Sequence, residues 1–105
     1  MSAVLVEAVY ACTGRRYLQL VQDLLWRYRG EVAALTLELG AAAHDLALLE
    51  GELHRPELPR PLGLLIAHDR MVARVETLER DLHDAREAAR GAAEELRGLE
   101  AALLD

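Results

Sequence analysis

Apolar residues recur at alternating intervals of three and four along both halves of the chain. In the upstream half they fall at Leu18, Val21, Leu25, Tyr28, Val32, Leu35, Leu39, Ala42, Leu46, Leu49 and Leu53. In the downstream half they fall at Leu64, Met71, Val75, Leu78, Leu82, Ala85, Ala89, Ala92, Leu96, Leu99 and Leu103, with His68 the one polar member of the row. A period of about 3.5 residues keeps one stripe of a helix facing a partner helix. Between the downstream seam positions lie mostly charges, such as Arg70, Glu76, Arg80, Asp84, Glu87, Glu94 and Arg97.

The two rows are separated by His54-Arg55-Pro56-Glu57-Leu58-Pro59-Arg60-Pro61, which holds every proline of the chain. Proline in a helix interior costs roughly 3 kcal/mol, so three so close together mean a break. Pro61 suits the start of a following helix. Two long helices joined by so short a loop fold back as antiparallel neighbours. The pattern therefore predicts an all-α, antiparallel coiled-coil hairpin. Its parts are an N-terminal overhang over 1–12, helix 1 over 13–53, a Pro-rich turn over 54–61 and helix 2 over 62–105.

The seams also predict a register. Pairing residues whose numbers sum to about 117 sets large against small, as close packing requires. Tyr28 then meets Ala89, Leu25 meets Ala92, Val32 meets Ala85, Ala42 meets Val75 and Gly14 meets Leu103. The overhang extends past the end of helix 2. It is apolar, with Val4, Leu5, Val6, Val9 and Tyr10. Val6, Tyr10, Thr13, Tyr17, Leu20 and Leu24 keep helical spacing, so it is expected to continue helix 1. A short strand or frayed tail, broken at Thr13-Gly14, is the alternative.

A helix that gives one stripe to its partner is ordinarily polar elsewhere. Helix 2 obeys and helix 1 does not. Off its seam helix 1 carries Leu20, Leu24, Trp26, Ala33, Ala34, Leu37, Ala41, Ala47 and Leu48, with Gly30 and Gly40 interleaved. A second helix cannot cover both sides of the first. A homodimer with the first helices central would bury this face in a four-helix bundle. The residues expected to hold a partner are Tyr10, Tyr17, Leu20, Trp26, Leu37 and Leu48, since aromatic anchors dominate interface energetics.

Composition agrees with long helices. Leu (22) and Ala (18) dominate, while Lys, Asn and Phe are absent, which excludes a β-sandwich or a disordered chain. The net charge is −6. An acidic chain repels phosphate backbones, so nucleic acid is not an expected partner. Cys12 is the one cysteine, which rules out an internal disulfide and suits a reducing cytoplasm. No uninterrupted apolar run approaches the roughly 18 residues of a membrane span, so none is expected. The apolar start lacks a basic leader and carries Glu7, so no signal peptide is expected, and Val9-Tyr10-Ala11-Cys12 is a poor lipoprotein cleavage site.

Catalytic and metal signatures are missing. Ala41, Gly51, Leu65 and Arg80 stand three before the four histidines, so no Glu-x-x-His pair exists for a di-iron bundle. There is neither HExxH nor paired Cys, hence no zinc motif and no expected cofactor. Glu79, His83 and Glu87 share a helix face, but the register points them to solvent. His68, alone among apolar seam residues, is a candidate for setting register or sensing pH, through an imidazole buried neutral near the turn. Arg15, Arg16, Arg27 and Arg29 form a basic cluster on helix 1, expected to pair with acids of helix 2. The sequence predicts a non-enzymatic hairpin interaction module, of the chaperone, adaptor or assembly-factor kind. The alternative is a structural or stalk subunit of a larger bacterial assembly, such as a secretion apparatus.

Overall fold

The computed structural model describes residues 3–55 and 61–104, with side chains for 14–55 and 61–103. The chain is all-helical. Helix α1 spans Ala3–Leu53 and helix α2 spans Leu62–Leu104, and the two pack against each other as a hairpin. Since α1 begins at Ala3, the backbone before Thr13 belongs to the same helix. The side chains of Tyr10, Cys12 and the rest of the overhang lie outside the described residues, as do turn residues 56–60.

The ends of the helices at the turn follow from local hydrogen bonding. Beyond α1 the backbone N–H of His54 donates to the Glu50 carbonyl at 3.1 Å, and that of Arg55 donates to Glu52 at 3.3 Å. Pro61 stands immediately before α2. Its carbonyl accepts from the N–H groups of Leu64 at 3.0 Å and Leu65 at 3.3 Å. A proline at this point sacrifices no helical hydrogen bond, because the first N–H groups of a helix have no intrahelical partner.

Two compact units divide the chain, one formed by residues 1–30 with 85–105 and the other by 31–84. In the first unit the buried side chains are Val21 and Leu25 of α1 with Ala85 and Ala92 of α2. The register can be read there directly. A Cβ placed on Gly14 would lie 3.1 Å from Cδ2 of Leu103, which is the pairing that the large-against-small rule predicts. In the second unit the buried side chains are Ala42, Leu53, Leu78 and Leu82. Every one of the eleven α1 seam positions is buried or half-buried, and on α2 only Leu103 at its very end is exposed.

The interface is thin. A two-helix pair encloses little more than one row of side chains per helix, so only the innermost residues are fully removed from water. Ala85 and Ala92 are enclosed, whereas Ala89, expected to face Tyr28 in a tight space, is half-buried. Overpacking a filled position costs roughly 1–3 kcal/mol. Ala92→Leu should therefore lower the melting temperature more than Ala89→Leu does. Thermal melts of the two variants check this; equal or raised melting temperatures would mean the helices are not in close contact there.

Candidate functional site: the uncovered face of α1

The seam of α1 faces α2, and the side chains between seam positions determine what else the hairpin can do. Leu37 is 77% exposed, Trp26 75%, Leu48 59% and Leu20 53%. Ala33, Ala34, Ala41 and Ala47 are exposed with them. Gly30, Gly40 and Gly51 have open space at their Cβ positions, with no heavy atom within 4 Å. A Leu on a helix surface is ordinary when it stands alone. Here Leu37 is ringed by Ala33, Ala34, Gly40 and Ala41, one turn away in each direction, so the bare surface is continuous and low enough for a backbone to approach.

The sequence-predicted residues separate on this structure. Leu37 and Leu48 belong to the second unit, and Leu48 borders a shallow groove with Leu49, Met71, Asp45 and Glu52. Trp26 and Leu20 belong to the first unit, where Trp26 borders a more polar groove with Gln19, Gln22, Asp23 and Arg29. Leu24 is half-buried, so it belongs to the flank of the seam. Tyr10 lies among the residues whose side chains are not described.

Tyr17 has an intramolecular task. Although 44% exposed, its hydroxyl donates a hydrogen bond to Oε1 of Glu95 on α2. That bond, together with the Glu95 charge, holds the phenol above its ordinary range, because a hydrogen bond to a carboxylate requires the protonated form. A pKa raised in the folded state means the contribution is present below the unfolded phenol value of about 10 and is lost as pH rises through the folded one. Tyr17→Phe should therefore lower stability slightly at neutral pH, and its difference from the wild type should shrink as pH rises through the phenol's range. Denaturation followed from pH 8 to pH 11 tests it.

His68 occupies its seam position but not the dry pocket expected of it. Its side chain is 25% exposed. Nε2 lies 3.5 Å from Oε1 of Glu50 across the seam, and Nδ1 lies 3.7 Å from Asp69. The imidazole expected to be buried there is thus only half-buried, with a carboxylate on either side. The residue was legible as a seam irregularity. Its partner Glu50, on the flank of the α1 seam, was not.

The remaining chemistry is sparse. Glu79, His83 and Glu87 are all exposed, and among the described residues no three metal-ligating side chains converge. Arg15, Arg16, Arg27 and Arg29 are exposed, and among the described residues none is ion-paired with α2. The ion pairs present are Arg55–Glu52 and Arg90–Glu87, each within one helix turn, and the His68 contacts. The expected pairing of the basic cluster with helix 2 is thus not seen.

A continuous-run criterion missed one property of α1. Averaged over a window, it is long and apolar enough to cross a membrane by length and composition alone, with a mean hydropathy of 1.5. Between Val32 and Leu49 only Glu38, His44 and Asp45 interrupt small and aliphatic residues. Comparison of the chain with known protein families, with curated proteins and with solved structures finds no match.

Proposed function

We propose that this hairpin is a non-enzymatic interaction module that works by burying the uncovered face of α1 against another helix. The observation that carries the reading is Leu37. It is 77% exposed on a helix whose opposite stripe is covered along its length, and small residues surround it. Removing apolar area from water is worth roughly 25 cal/mol per Å², and α2 is occupied on the other side. The module forms a homodimer with the two α1 helices at its centre and the α2 helices outside. Such a bundle suits a chaperone, adaptor or assembly factor, which must present a rigid helical body to other proteins.

A lipid environment is a poorer match for the same face. Asp at the centre of a membrane helix costs roughly 2.5–3.5 kcal/mol, and α1 carries Glu38 and Asp45 within its most apolar stretch. The test is light scattering over a concentration series at neutral pH. A discrete dimer is expected at tens of micromolar. An open series that grows with concentration would mean a polymerising or stalk subunit, and a monomer throughout would remove self-association.

A further inference from the structure

We infer that the second unit docks a basic amphipathic helix of another protein, laid along the groove between Leu48 of α1 and Met71 of α2. The inference rests on reading the hairpin as an interaction module, and it needs no dimer. One observation is the groove itself. Leu48, Leu49 and Met71 are its apolar lining, and Asp45 and Glu52 are its charged members. Leu48 is 59% exposed. Ala41 and Ala34, seven and fourteen residues before it, are exposed as well, so this flank of α1 stays low enough for a helix to lie against it.

The other observation is the order of the charge. Residues 31–84 hold eleven of the eighteen acids and five of the twelve arginines, so the whole net charge of −6 falls on this unit. On α1 the acids form a row. Glu31, Glu38, Asp45 and Glu52 stand at every seventh residue, each immediately before a seam residue, and all four are exposed. Seven residues are close to two turns, so the four line one edge of the helix over about 32 Å. Charges at such an edge ordinarily pair with a neighbouring helix and select it. The matching edge of α2 is Ala67, Arg74 and Asp81, whose charges cancel. Among the described residues Glu31, Glu38 and Asp45 make no ion pair, and Glu52 pairs only with Arg55. The row is therefore unanswered within the hairpin. Its complement is a helix of about twenty residues, with Arg or Lys at every seventh position and aliphatic side chains beside them for Leu48 and Met71. The sign of the charge opposes nucleic acid and anionic lipid at the same place.

The probe is a fluorescein-labelled, alanine-based helical peptide of that length, with leucines at alternating spacings of three and four and a lysine at every seventh position. The full chain is titrated into it at about 0.15 M salt, where stray surface attraction is screened, and binding is read by anisotropy. One comparison peptide carries Glu in place of Lys. Another keeps the composition but spaces the lysines five apart, so that they wind round the helix. The first peptide should bind at least about tenfold tighter than either. Glu38→Gln with Asp45→Asn should weaken it about threefold or more, and so should Leu48→Ala. Glu76→Gln with Glu79→Gln removes the same charge from exposed positions of α2 outside the row and should leave binding unchanged. All these positions are exposed, so helicity by circular dichroism should hold. Equal binding of the three peptides, or equal losses from the two charge-neutralised variants, would reduce the attraction to net charge and overturn the groove. No binding by any peptide overturns it too, while a dimer in light scattering would still uphold self-association. A monomer that binds the first peptide selectively would uphold the groove and remove the dimer.

Discussion

Leu37→Glu is expected to convert the dimer to a folded monomer. In the isolated hairpin this side chain faces water, 77% exposed, and Glu is nearly as good a helix former as Leu. Helicity should therefore hold, with a stability change within about 0.5 kcal/mol, as for other surface substitutions. In the dimer the same position is covered twice over, once in each copy. Burying an unpaired carboxylate costs several kcal/mol, and each 1.4 kcal/mol is about tenfold in the dissociation constant. A rise of two or more orders of magnitude follows. Leu37→Ala removes apolar area without adding charge and should be milder. Light scattering with circular dichroism on the wild type and both variants decides the matter. A Leu37→Glu protein that remains dimeric would place the interface elsewhere on the chain.

Leu25→Ala should be the most damaging change within the hairpin. Leu25 is 6% exposed in the first unit, where Ala92 of α2 is 8% exposed, and the register sets the two opposite each other. The partner is already small, so a second small residue leaves a gap between the helices. Leu→Ala in a filled interior costs roughly 2–5 kcal/mol, and whole domains are stable by only about 5–15 kcal/mol. The clean measurement is urea denaturation in the Leu37→Glu background, where dissociation no longer contributes. Leu20→Ala in the same background is the control. It should cost much less, because Leu20 is 53% exposed. Equal losses from the two would mean that the seam is not where the hairpin keeps its stability.

Much of the fold was legible from spacing, and the reason can be seen at single positions. Val21, Leu25, Ala42 and Leu53 are buried because each lies on the stripe that recurs at three and four residues, and that recurrence is a property of the chain alone. Gly14 meets Leu103 because large-against-small pairing leaves few acceptable registers for two seams of this length. The candidate face was legible by the same argument in reverse, since Leu37 and Trp26 fall where a surface helix ordinarily places charge. Tyr17 falls by spacing on the same exposed stripe. Spacing does not reveal that the phenol reaches Glu95.

The sequence by itself determined that there are two helices, where the break between them falls, which stripe of each is covered, and that α1 has apolar surface left over. These follow from periodicity and from proline, which act within a few residues of chain. Only the tertiary structure decided that Ala85 and Ala92 are more enclosed than Ala89, that His68 shares the seam with Glu50, and that among the described residues the arginines of α1 make no ion pair with α2. Those outcomes depend on how closely two helices approach and how far long side chains reach across the gap. Both are distances between residues remote in the chain, and a spacing pattern carries no information about them.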